Sequence, residues 1–306
     1  MRHFALIAAG VAAVATHARA QTPVRVEVID TAFLAAPRLV ESSGVVASEL
    51  VPGVYWSHND SGDGPFLYAT DSTGRDLGAV RVALAGAVDW EELAAGPCFV
   101  APGRCLYAAD IGDNRRRRAR VVLYRLREPA PPNGPADTLR TVPLLDSLVL
   151  VYPDRLHDAE ALVVTPGGAV LLVTKDLFGP AVLYRTTAAA GATPRTLTEV
   201  GPLAMATGIA TGRLATGAAL SPDGALLVVR TYVSLHFFRL NGDSLPVPLN
   251  PRRGITIPVV EPQGEGVAFD GPDRLVLTSE RGEAERGTIV RLRIVLGQGP
   301  PIRQDH

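Results

Sequence analysis

The sequence has 306 residues, with 30 Lys and Arg against 31 Asp and Glu, and a formal net charge of -1. This balance, with only 6% aromatic residues, lacks the basic face and interleaved aromatic side chains of a nucleic-acid-binding protein, so that class is excluded. The 30 glycines and 25 prolines are dispersed along the chain, with short runs of valine, leucine and tyrosine between them. This composition favours many short strands and turns over long helices.

The chain begins with a segment typical of a cleavable export signal. Residues 1–20 have a basic start at Arg2, an apolar run from Phe4 to Ala15 and a closing Ala-Arg-Ala. The apolar run is too short for a stop-transfer helix, and no later stretch approaches about 18 uninterrupted apolar residues. We therefore expect an exported protein, periplasmic or extracellular, with no transmembrane segment in the mature chain and one domain over residues 21–306.

Five later segments share one pattern, in which a turn leads into a small, apolar strand that is followed by a second and a third strand. The first strands of the five units are "ESSGVVAS" (41–48), "DWEELAAGP" (89–97), "DAEALVVTP" (158–166), "LATGAALSP" (214–222) and "QGEGVAFD" (263–270). A four-stranded antiparallel unit that recurs about every 50 to 65 residues is typical of a β-propeller blade.

A fourth, more irregular strand completes four of the units, with the candidates "LGAVRV", "LRTVPLL", "RTLTEV" and "GITIPVV". The fifth unit has none of its own, but "TPVRVEVID" (22–30) precedes the first unit and can supply it. We therefore predict an all-β, five-bladed propeller that is closed by pairing this N-terminal strand with the last blade. A six-bladed propeller is the alternative if the connectors at 130–157 or 188–213 contain a degenerate unit. A stack of open hairpins or two sandwich domains is the other architecture.

The sequence contains two cysteines, Cys98 and Cys105, in "PCFVAPGRC". The turn-prone Ala-Pro-Gly between them predicts a disulfide that closes a hairpin in an oxidising compartment. Two reduced, half-buried thiols are the alternative. Redox catalysis would favour a closer Cys-x-x-Cys pair, so we expect a structural role.

Acidic residues recur at equivalent positions of the first strands. Aligning the repeats places Glu91, Glu160 and Glu265 together, with Ser43 and Thr216 in the other two blades. Two residues earlier stand Glu41, Asp89, Asp158 and Gln263. Because first strands line the central channel of a propeller, these carboxylates converge on a small volume. There they raise one another's pKa unless a cation neutralises them.

The ends of the second strands add further oxygen ligands at the same mouth of the channel. Ca²⁺ prefers six to eight oxygens from carboxylates, amides and carbonyls on flexible loops. The sequence therefore predicts a Ca²⁺ site with ligands drawn from Glu41, Asn59, Asp60, Glu91, Asp110, Asp113, Asn114, Asp158, Glu160 and Glu265. "NDSGDG" resembles the start of an EF-hand loop, but it lacks the glutamate at position twelve and the flanking helices. The alternative is that these residues are ordinary turn and capping residues.

The segment "YAADIGDNRRRRAR" (107–120) sets two aspartates and an asparagine directly before Arg115–Arg118. A cation gripped by the acids, with guanidinium groups beside it, would bind a phosphate or sulfate through bidentate contacts. Lys175, the single lysine of the chain, and Arg230 occupy similar places in the next two blades. For the four arginines, a solvated basic hairpin tip is the alternative.

Other catalytic patterns are missing from the sequence. It has no His-Glu-x-x-His, no Gly-x-Ser-x-Gly, no phosphate-binding glycine loop and no zinc-type cysteine pattern. His58 and His157 flank the acidic loops and are candidate proton acceptors or zinc ligands. An isolated histidine at a strand end is more often structural.

The ordered series of short elements over residues 41–282 resembles an uncharacterised group of secreted bacterial β-propeller proteins. The elements are "ESSG", "HNDSGD", "DWEEL", "DIGDN", "DAEAL", "SPDG" with "VVRTY", and "QGEGV" with "LTSERG". This resemblance implies the propeller fold and brings no reaction with it.

A weaker resemblance is to the calcium-dependent β-propeller phytases, in which Glu-Gly and Asp-x-Glu elements hold calcium and Lys and Arg bind phosphate. Here Glu160 in "DAEAL" and Glu265 in "QGEGV" match those elements, and Lys175 and Arg230 match the basic roles. Phytases have six blades, whereas this sequence indicates five. The resemblance implies a metal-dependent phosphoester hydrolase acting on a small anionic molecule, with these four residues as the catalytic set. The other hypothesis is a non-catalytic propeller that binds a ligand or a protein.

Overall fold

The computed structural model describes residues 24–135, 139–189, 193–205, 213–242, 244–249 and 254–297. The predicted signal peptide lies outside the described residues. Over these ranges the chain forms 23 β-strands and no α-helix. Accordingly, the described part of the chain contains no helix with the length and apolar character needed to cross a membrane.

The strands form five sheets that follow one another along the chain. The first sheet contains β2 (Ser42–Ala47), β3 (Val54–Asn59), β4 (Phe66–Asp71), β5 (Asp76–Val82) and β9 (Arg140–Val142). The second contains β6 (Trp90–Pro97), β7 (Arg104–Asp110), β8 (Val121–Arg127), β10 (Asp146–Val151) and β14 (Arg195–Thr196). The third contains β11 (Ala159–Val164), β12 (Ala169–Thr174), β13 (Val182–Thr187) and β15 (Thr198–Pro202).

The fourth sheet contains β16 (Ala215–Leu220), β17 (Leu226–Thr231), β18 (Ser234–Arg239), β19 (Val247–Pro248) and β20 (Ile255–Thr256). The fifth contains β21 (Gln263–Phe269), β22 (Arg274–Glu280), β23 (Thr288–Leu296) and β1 (Val24–Phe33). The tight turns after the first strands use glycines with positive φ, for example Gly168 at 84° and Gly224 at 73°. Such a backbone conformation is accessible to glycine without steric cost.

The ring closes as predicted. Strand β1 pairs antiparallel with β23, from Val24 opposite Leu296 to Phe33 opposite Thr288. The free edge of the last blade is thereby covered by the N-terminal strand. The five-blade count is confirmed, and the two long connectors contain no sixth sheet within their described residues.

Two fourth-strand predictions are corrected by the topology. In "LRTVPLL", β9 pairs parallel with β5 of the first sheet, while the second blade takes β10 as its own fourth strand. In "RTLTEV", β14 likewise pairs parallel with β10 of the second sheet, and β15 completes the third blade. The reason is burial, since β10 buries Leu148 and Leu150 on one face whereas β9 buries only Val142. These two connectors therefore join the second blade to the first and the third blade to the second.

The core lies between the blades. Five apolar clusters each combine side chains from two adjacent sheets, and the last cluster joins the fifth sheet to the first through Val276 and Val45. Full burial of such a side chain contributes about 1.5–3 kcal/mol. The predicted disulfide between Cys98 and Cys105 is present, with a Cα–Cα distance of 4.8 Å, and it closes the hairpin between β6 and β7.

Candidate metal centre

Each first strand carries a register shift near its start, where the strand enters the channel. The shift falls at Glu91 in β6, Glu160 in β11 and Thr216 in β16. In β2 it spans Ser43, and in β21 it spans Glu265. A β-bulge leaves one residue outside the ladder and re-aims its side chain. The five equivalent positions of the repeat are thus the positions at which each blade turns a side chain out of its sheet.

The two hydroxyl residues at these positions bind the neighbouring blade. Ser43 Oγ donates a hydrogen bond of 2.8 Å to the carbonyl oxygen of Glu91. Thr216 Oγ1 donates one of 3.3 Å to the carbonyl oxygen of Glu265. These side chains hold the blades together and leave the mouth of the channel to the carboxylates.

Carboxylates of the first three blades converge at this mouth. Two triplets have ligand atoms that all lie within 4.8 Å of one another, namely Asp60 with Asp89 and Glu91, and Glu91 with Asp158 and Glu160. Asp60 and Asp89 are half-buried, while the other three are buried. We call these five residues the mouth acids. Glu91 is the only member that belongs to both triplets.

Glu91 is the unusual member of this group. Glu91 is only 2% exposed, and its Oε1 has no hydrogen-bond partner among the described residues. A Cβ on Gly112 would lie 2.1 Å from that oxygen and 2.6 Å from Oδ2 of Asp89, so both carboxylates face the space beside Gly112. A buried carboxylate oxygen without a donor is costly, and a bound cation is the usual remedy.

The pKa values of the mouth acids also show that their surroundings disfavour negative charge. Burial, and next the carboxylate of Glu160, raise the pKa of Glu91 well above its usual range. Burial, followed by the charges of Asp60 and Asp158, raises the pKa of Asp89 to about 7. Burial likewise raises the pKa of Asp60. Without a cation, burial and mutual repulsion therefore favour the protonated forms of the mouth acids.

Two further carboxyl groups lie at the same mouth, outside the triplets. Burial raises the pKa of Glu265 to about 7, although Lys175 acts in the opposite direction. Burial, and then the charge of Glu265, raise the pKa of Glu280 to about 8. Gln263 Nε2 donates a hydrogen bond of 3.0 Å to Glu265. These acids extend the negative region toward the fifth blade.

The two predicted basic residues have different surroundings. The ammonium group of Lys175 contacts Glu160 and lies 2.7 Å from the hydroxyl of Tyr232, with 14% of its side chain exposed. Burial opposes its charge, but the carboxylate of Glu160 raises the pKa of Lys175. Arg230 is fully buried, where it donates to the carbonyl oxygens of Gly266 and Thr278 and pairs with Glu261. Lys175 faces the mouth acids, whereas Arg230 joins the fourth and fifth blades.

Several predicted ligands are occupied by the protein itself. Asn59 accepts from two backbone N–H groups and donates to Arg38 O and Asp63. Asp110 accepts from the N–H groups of residues 88 and 89 and pairs with Arg118, and Asp113 accepts from the N–H groups of residues 117 and 118. Glu41 and Asn114 are exposed. None of these five lies in a triplet.

The arginine run is partly structural. Arg118 lies 2.7 Å from Asp110 and donates to the carbonyl oxygen of Gly112, so it fixes the loop that approaches Glu91. Arg116 lies 3.1 Å from Asp176, and its side chain is 39% exposed. Arg115 and Arg117 are exposed. One arginine of the run, Arg118, is therefore neutralised by an aspartate that precedes it, Asp110.

The two histidines hold local structure. His58 is fully buried, its Nδ1 lies 2.8 Å from the carbonyl oxygen of Asn59, and burial lowers its pKa to about 4. His157 Nε2 lies 3.0 Å from Asp154 and 2.9 Å from the hydroxyl of Tyr184. Neither histidine joins the described acid triplets.

Sequence reasoning omitted Asp89 from the ligand set and did not recognise Glu92. Asp89 stands two residues before Glu91, the same spacing as Asp158 before Glu160, so repeat alignment could have included it. Glu92 is fully buried and its carboxylate accepts from the backbone N–H groups of Leu93 and Ala218, at 3.0 and 2.8 Å. No pattern in the sequence separates Glu92 from its neighbour.

No protein-family model matches this sequence, and no curated protein matches it. Among solved structures, the fold resembles a PQQ-bound aldose sugar dehydrogenase from Streptomyces coelicolor, with 16% identity, 90% of this chain and 100% of that chain covered, and a TM-score of 0.48. It also resembles a calcium-binding protein, regucalcin, from Agrobacterium tumefaciens, with 15% identity, 90% and 98% covered, and a TM-score of 0.46. Virginiamycin B lyase from Staphylococcus aureus has 12% identity, 82% and 66% covered, and a TM-score of 0.40. At these values we transfer no activity from them.

Proposed function

We propose that this protein is an exported β-propeller that binds Ca²⁺ at the mouth acids and hydrolyses a phosphoester of a small anionic molecule. The observation that carries the proposal is Glu91, a buried carboxylate with an unpartnered oxygen between two pairs of acids. The comparisons neither support nor oppose the hydrolytic reaction. The proposal therefore depends on the chemistry of the site.

The donor set fits a hard cation. All five mouth acids offer carboxylate oxygens, and no histidine or cysteine joins them among the described residues. Oxygen-only sites suit Ca²⁺ and Mg²⁺, and Ca²⁺ accepts many carboxylate ligands in irregular geometry, whereas Mg²⁺ usually retains several waters. The loop beside Gly112 and the bulged first strands supply such an irregular arrangement. We therefore expect Ca²⁺ to bind more tightly than Mg²⁺.

The chain's own residues would bind and orient the substrate. A bound cation would supply Lewis acidity toward a phosphoryl oxygen and a bound water. Lys175 would donate a hydrogen bond to the developing negative charge, and the partly exposed Arg116 would contact the remainder of the anion. Glu265 lies outside the triplets and near Lys175, so it is our candidate general base. Arg230 takes no part, because its guanidinium group is used within the fold.

The first test is a calorimetric titration of the chelator-stripped protein with CaCl₂. We expect saturable binding at micromolar or tighter affinity, with at least tenfold weaker binding in Glu91→Gln, about 1.4 kcal/mol. Glu285→Gln is the matched control, because it removes the same charge at an exposed position in the hairpin after β22. No binding by the wild type, or equal losses in both variants, would overturn the proposal.

The second test addresses the reaction with a panel of phosphomonoesters and phosphodiesters, including a chromogenic aryl phosphate. We expect Ca²⁺-dependent turnover that is lost in Glu265→Gln, while calorimetry shows Ca²⁺ affinity within about threefold of wild type. Tight Ca²⁺ binding with no turnover of any phosphoester would contradict the hydrolase. In that case the protein would be a recognition propeller whose cation holds an anionic ligand.

A further inference from the structure

We propose that the end of the channel opposite the mouth is a second binding site, which takes a small, uncharged, largely apolar molecule. A cavity of about 320 Å³ lies there, at the lower end of the range of roughly 300–1,000 Å³ that is usual for ligand pockets. We call it the lower cavity. Its wall includes the second halves of all five first strands and the turns after them, at residues 45–49, 93–97, 162–164, 218–222 and 267–271.

The lower cavity and the mouth acids lie at opposite ends of the first strands. In β6, Glu91 stands next to the first residue of the strand, at the mouth, whereas Gly96 lines the lower cavity. These two residues are five positions apart, which corresponds to about 16 Å along an extended strand. The site is therefore distinct from the one that carries the proposed function.

A closed level of the channel separates the two ends. At the position directly after the bulge, four blades carry small residues, which are Gly44, Ala161, Gly217 and Gly266. The second blade carries Glu92 there, and its fully buried carboxylate reaches the backbone N–H of Ala218 in the fourth blade, at 2.8 Å. A Cβ on Gly217 would lie 2.7 Å from the carbonyl oxygen of Glu265, so the first strands are in close contact at this level. Glu92 and these close contacts block the channel between the mouth and the lower cavity.

Beyond this level the first strands carry apolar side chains in every blade. The third residue after the bulge is alanine or valine in all five, and each is at most 7% exposed. These residues are Val46, Ala94, Val163, Ala219 and Ala268. An apolar, concave wall of this kind favours the apolar body of a small molecule over water.

The wall also offers backbone hydrogen-bonding groups. Each first strand is the terminal strand of its sheet, so its inner edge has no partner strand. Such an edge presents backbone N–H and C=O groups outside the ladder. Five of these edges surround the lower cavity. A ligand with an apolar body and one or two uncharged polar atoms matches this combination.

The charged groups of the lower cavity already have partners. Glu49 and Arg104 form an ion pair of 2.5 Å at its rim, with about half of each side chain exposed. Asp270 accepts a hydrogen bond of 3.1 Å from the hydroxyl of Tyr55 and lies 3.7 Å from Arg274. A charged ligand would have to break one of these pairs or lie unpaired against the apolar wall. An uncharged ligand avoids that cost.

The experiment is a fluorescence titration with N-phenyl-1-naphthylamine, an uncharged aromatic probe whose emission rises in apolar surroundings. We expect one probe molecule per wild-type chain, bound saturably at micromolar affinity. The anionic analogue 8-anilinonaphthalene-1-sulfonate adds a sulfonate to the same rings and should bind at least tenfold more weakly, because this charge has no free partner in the lower cavity. Equal affinities for the two probes would contradict an uncharged ligand.

Variants that fill the lower cavity locate the bound probe. Ala47 and Ala95 line it and are partly exposed, so Ala47→Leu and Ala95→Leu each extend a side chain into it, and each should weaken binding at least tenfold. Ala284→Leu is the matched control, because it adds the same atoms at an exposed position in the hairpin after β22. Phe178→Ala removes a 93% exposed aromatic side chain from the loop between β12 and β13, a rival apolar site at the mouth end. Both controls should stay within about twofold of wild type.

The outcomes separate this inference from the proposed function. No saturable binding by the wild type, or equal affinities in the cavity variants and in Ala284→Leu, would overturn the second site. A loss in Phe178→Ala alone would place the probe at the mouth end and would overturn it as well. Circular dichroism and melting identify any variant that fails to fold, and the comparison of the two probes needs no variant. Because the Ca²⁺ titrations of the mouth are independent of this probe, either conclusion can fail while the other stands.

Discussion

Two adjacent residues of β6, Glu91 and Glu92, are both buried carboxyl groups, yet their surroundings differ completely. The Glu92 carboxylate accepts hydrogen bonds from the backbone N–H groups of Leu93 and Ala218. These donors belong to the second and fourth blades. Glu91 turns toward the mouth, where its neighbours are other carboxylates and one of its oxygens has no donor. Burial alone therefore does not indicate what a charged group does.

The two carboxylates differ in whether the protein itself supplies hydrogen-bond donors to them. The fold supplies hydrogen-bond donors to Glu92, so this side chain links the second blade to the fourth. Glu91 is not satisfied by the described residues, so a partner from solution is required for its best state. The two basic residues also differ in their surroundings, since Arg230 donates to carbonyl oxygens of the fifth blade whereas Lys175 pairs with Glu160 at the mouth.

The sharpest test of this comparison is truncation of each glutamate in the cation-free protein. Glu92→Ala leaves buried backbone N–H groups without an acceptor and should lower the free energy of unfolding by about 3–5 kcal/mol. Glu91→Ala removes a carboxyl group whose Oε1 has no hydrogen-bond partner, and it should stay within about 1 kcal/mol of wild type. Urea denaturation followed by tryptophan fluorescence measures both. Glu92→Gln, which keeps an acceptor, should lose less than Glu92→Ala.

Equal losses in the two alanine variants would contradict the division between a structural and a ligand-binding carboxylate. A large loss for Glu91→Ala alone would show that the mouth acids, and not the axis, hold the blades together.

Much of the architecture could be predicted from the sequence because a repeat multiplies a weak signal. One short run of valine and leucine is ambiguous, but five first strands with the same turn chemistry fix the blade. The same argument located Glu91 and Glu160, because equivalent positions in a repeat meet at the axis. The boundaries of the fourth strands were less certain. Both β9 and β10 could pair with the outer edge of the second sheet, and side-chain burial between blades determines that β10 does so while β9 pairs with the first sheet.

Some of the predicted ligands have partners within the protein, for a physical reason. Asp113 and Asn59 look like ligands in the sequence, yet backbone N–H groups occupy their oxygens, as is common for such residues in loops. Arg230 matches a phosphate-binding role by position, yet its strand turns it into the space between blades. Whether a polar group faces water or a backbone donor depends on distant segments, and spacing along the chain carries no information about that.

We expect the stability of the wild-type protein to depend on pH, with a smaller change in the free energy of unfolding than Glu92→Ala causes. In the cation-free protein, burial raises the pKa of Glu265 to about 7, and burial with neighbouring carboxylates raises the pKa of Asp89 to about 7 and that of Glu280 to about 8. The unfolded chain loses these protons near pH 4, whereas the folded chain keeps them, so stability falls as pH rises from about 4 to about 8. Acids with lowered pKa, such as Asp71 and Asp223, titrate below this window.

Thermal melting from pH 4 to 9, with a chelator and with Ca²⁺, measures this dependence. At pH 8 a Ca²⁺ concentration one hundred times the Kd should stabilise the fold by about 2.7 kcal/mol. The gain should shrink toward pH 5, because protons compete for the same carboxylates. A melting temperature that rises steadily across this range without Ca²⁺ would contradict the proposed repulsion among the acids.

The smallest expected effect comes from one methyl group beside the site. A Cβ at Gly112 would lie 2.1 Å from Oε1 of Glu91 and 2.6 Å from Oδ2 of Asp89, so Gly112→Ala must push at least one carboxylate away. We expect Ca²⁺ affinity to fall about tenfold, equivalent to about 1.4 kcal/mol. Gly167→Ala is the matched control, since a Cβ there meets no atom within 4 Å. Equal Ca²⁺ affinities in the two variants, measured by calorimetry, would show that the space beside Gly112 is not where the cation lies, and Glu91 would lose its distinction from Glu92.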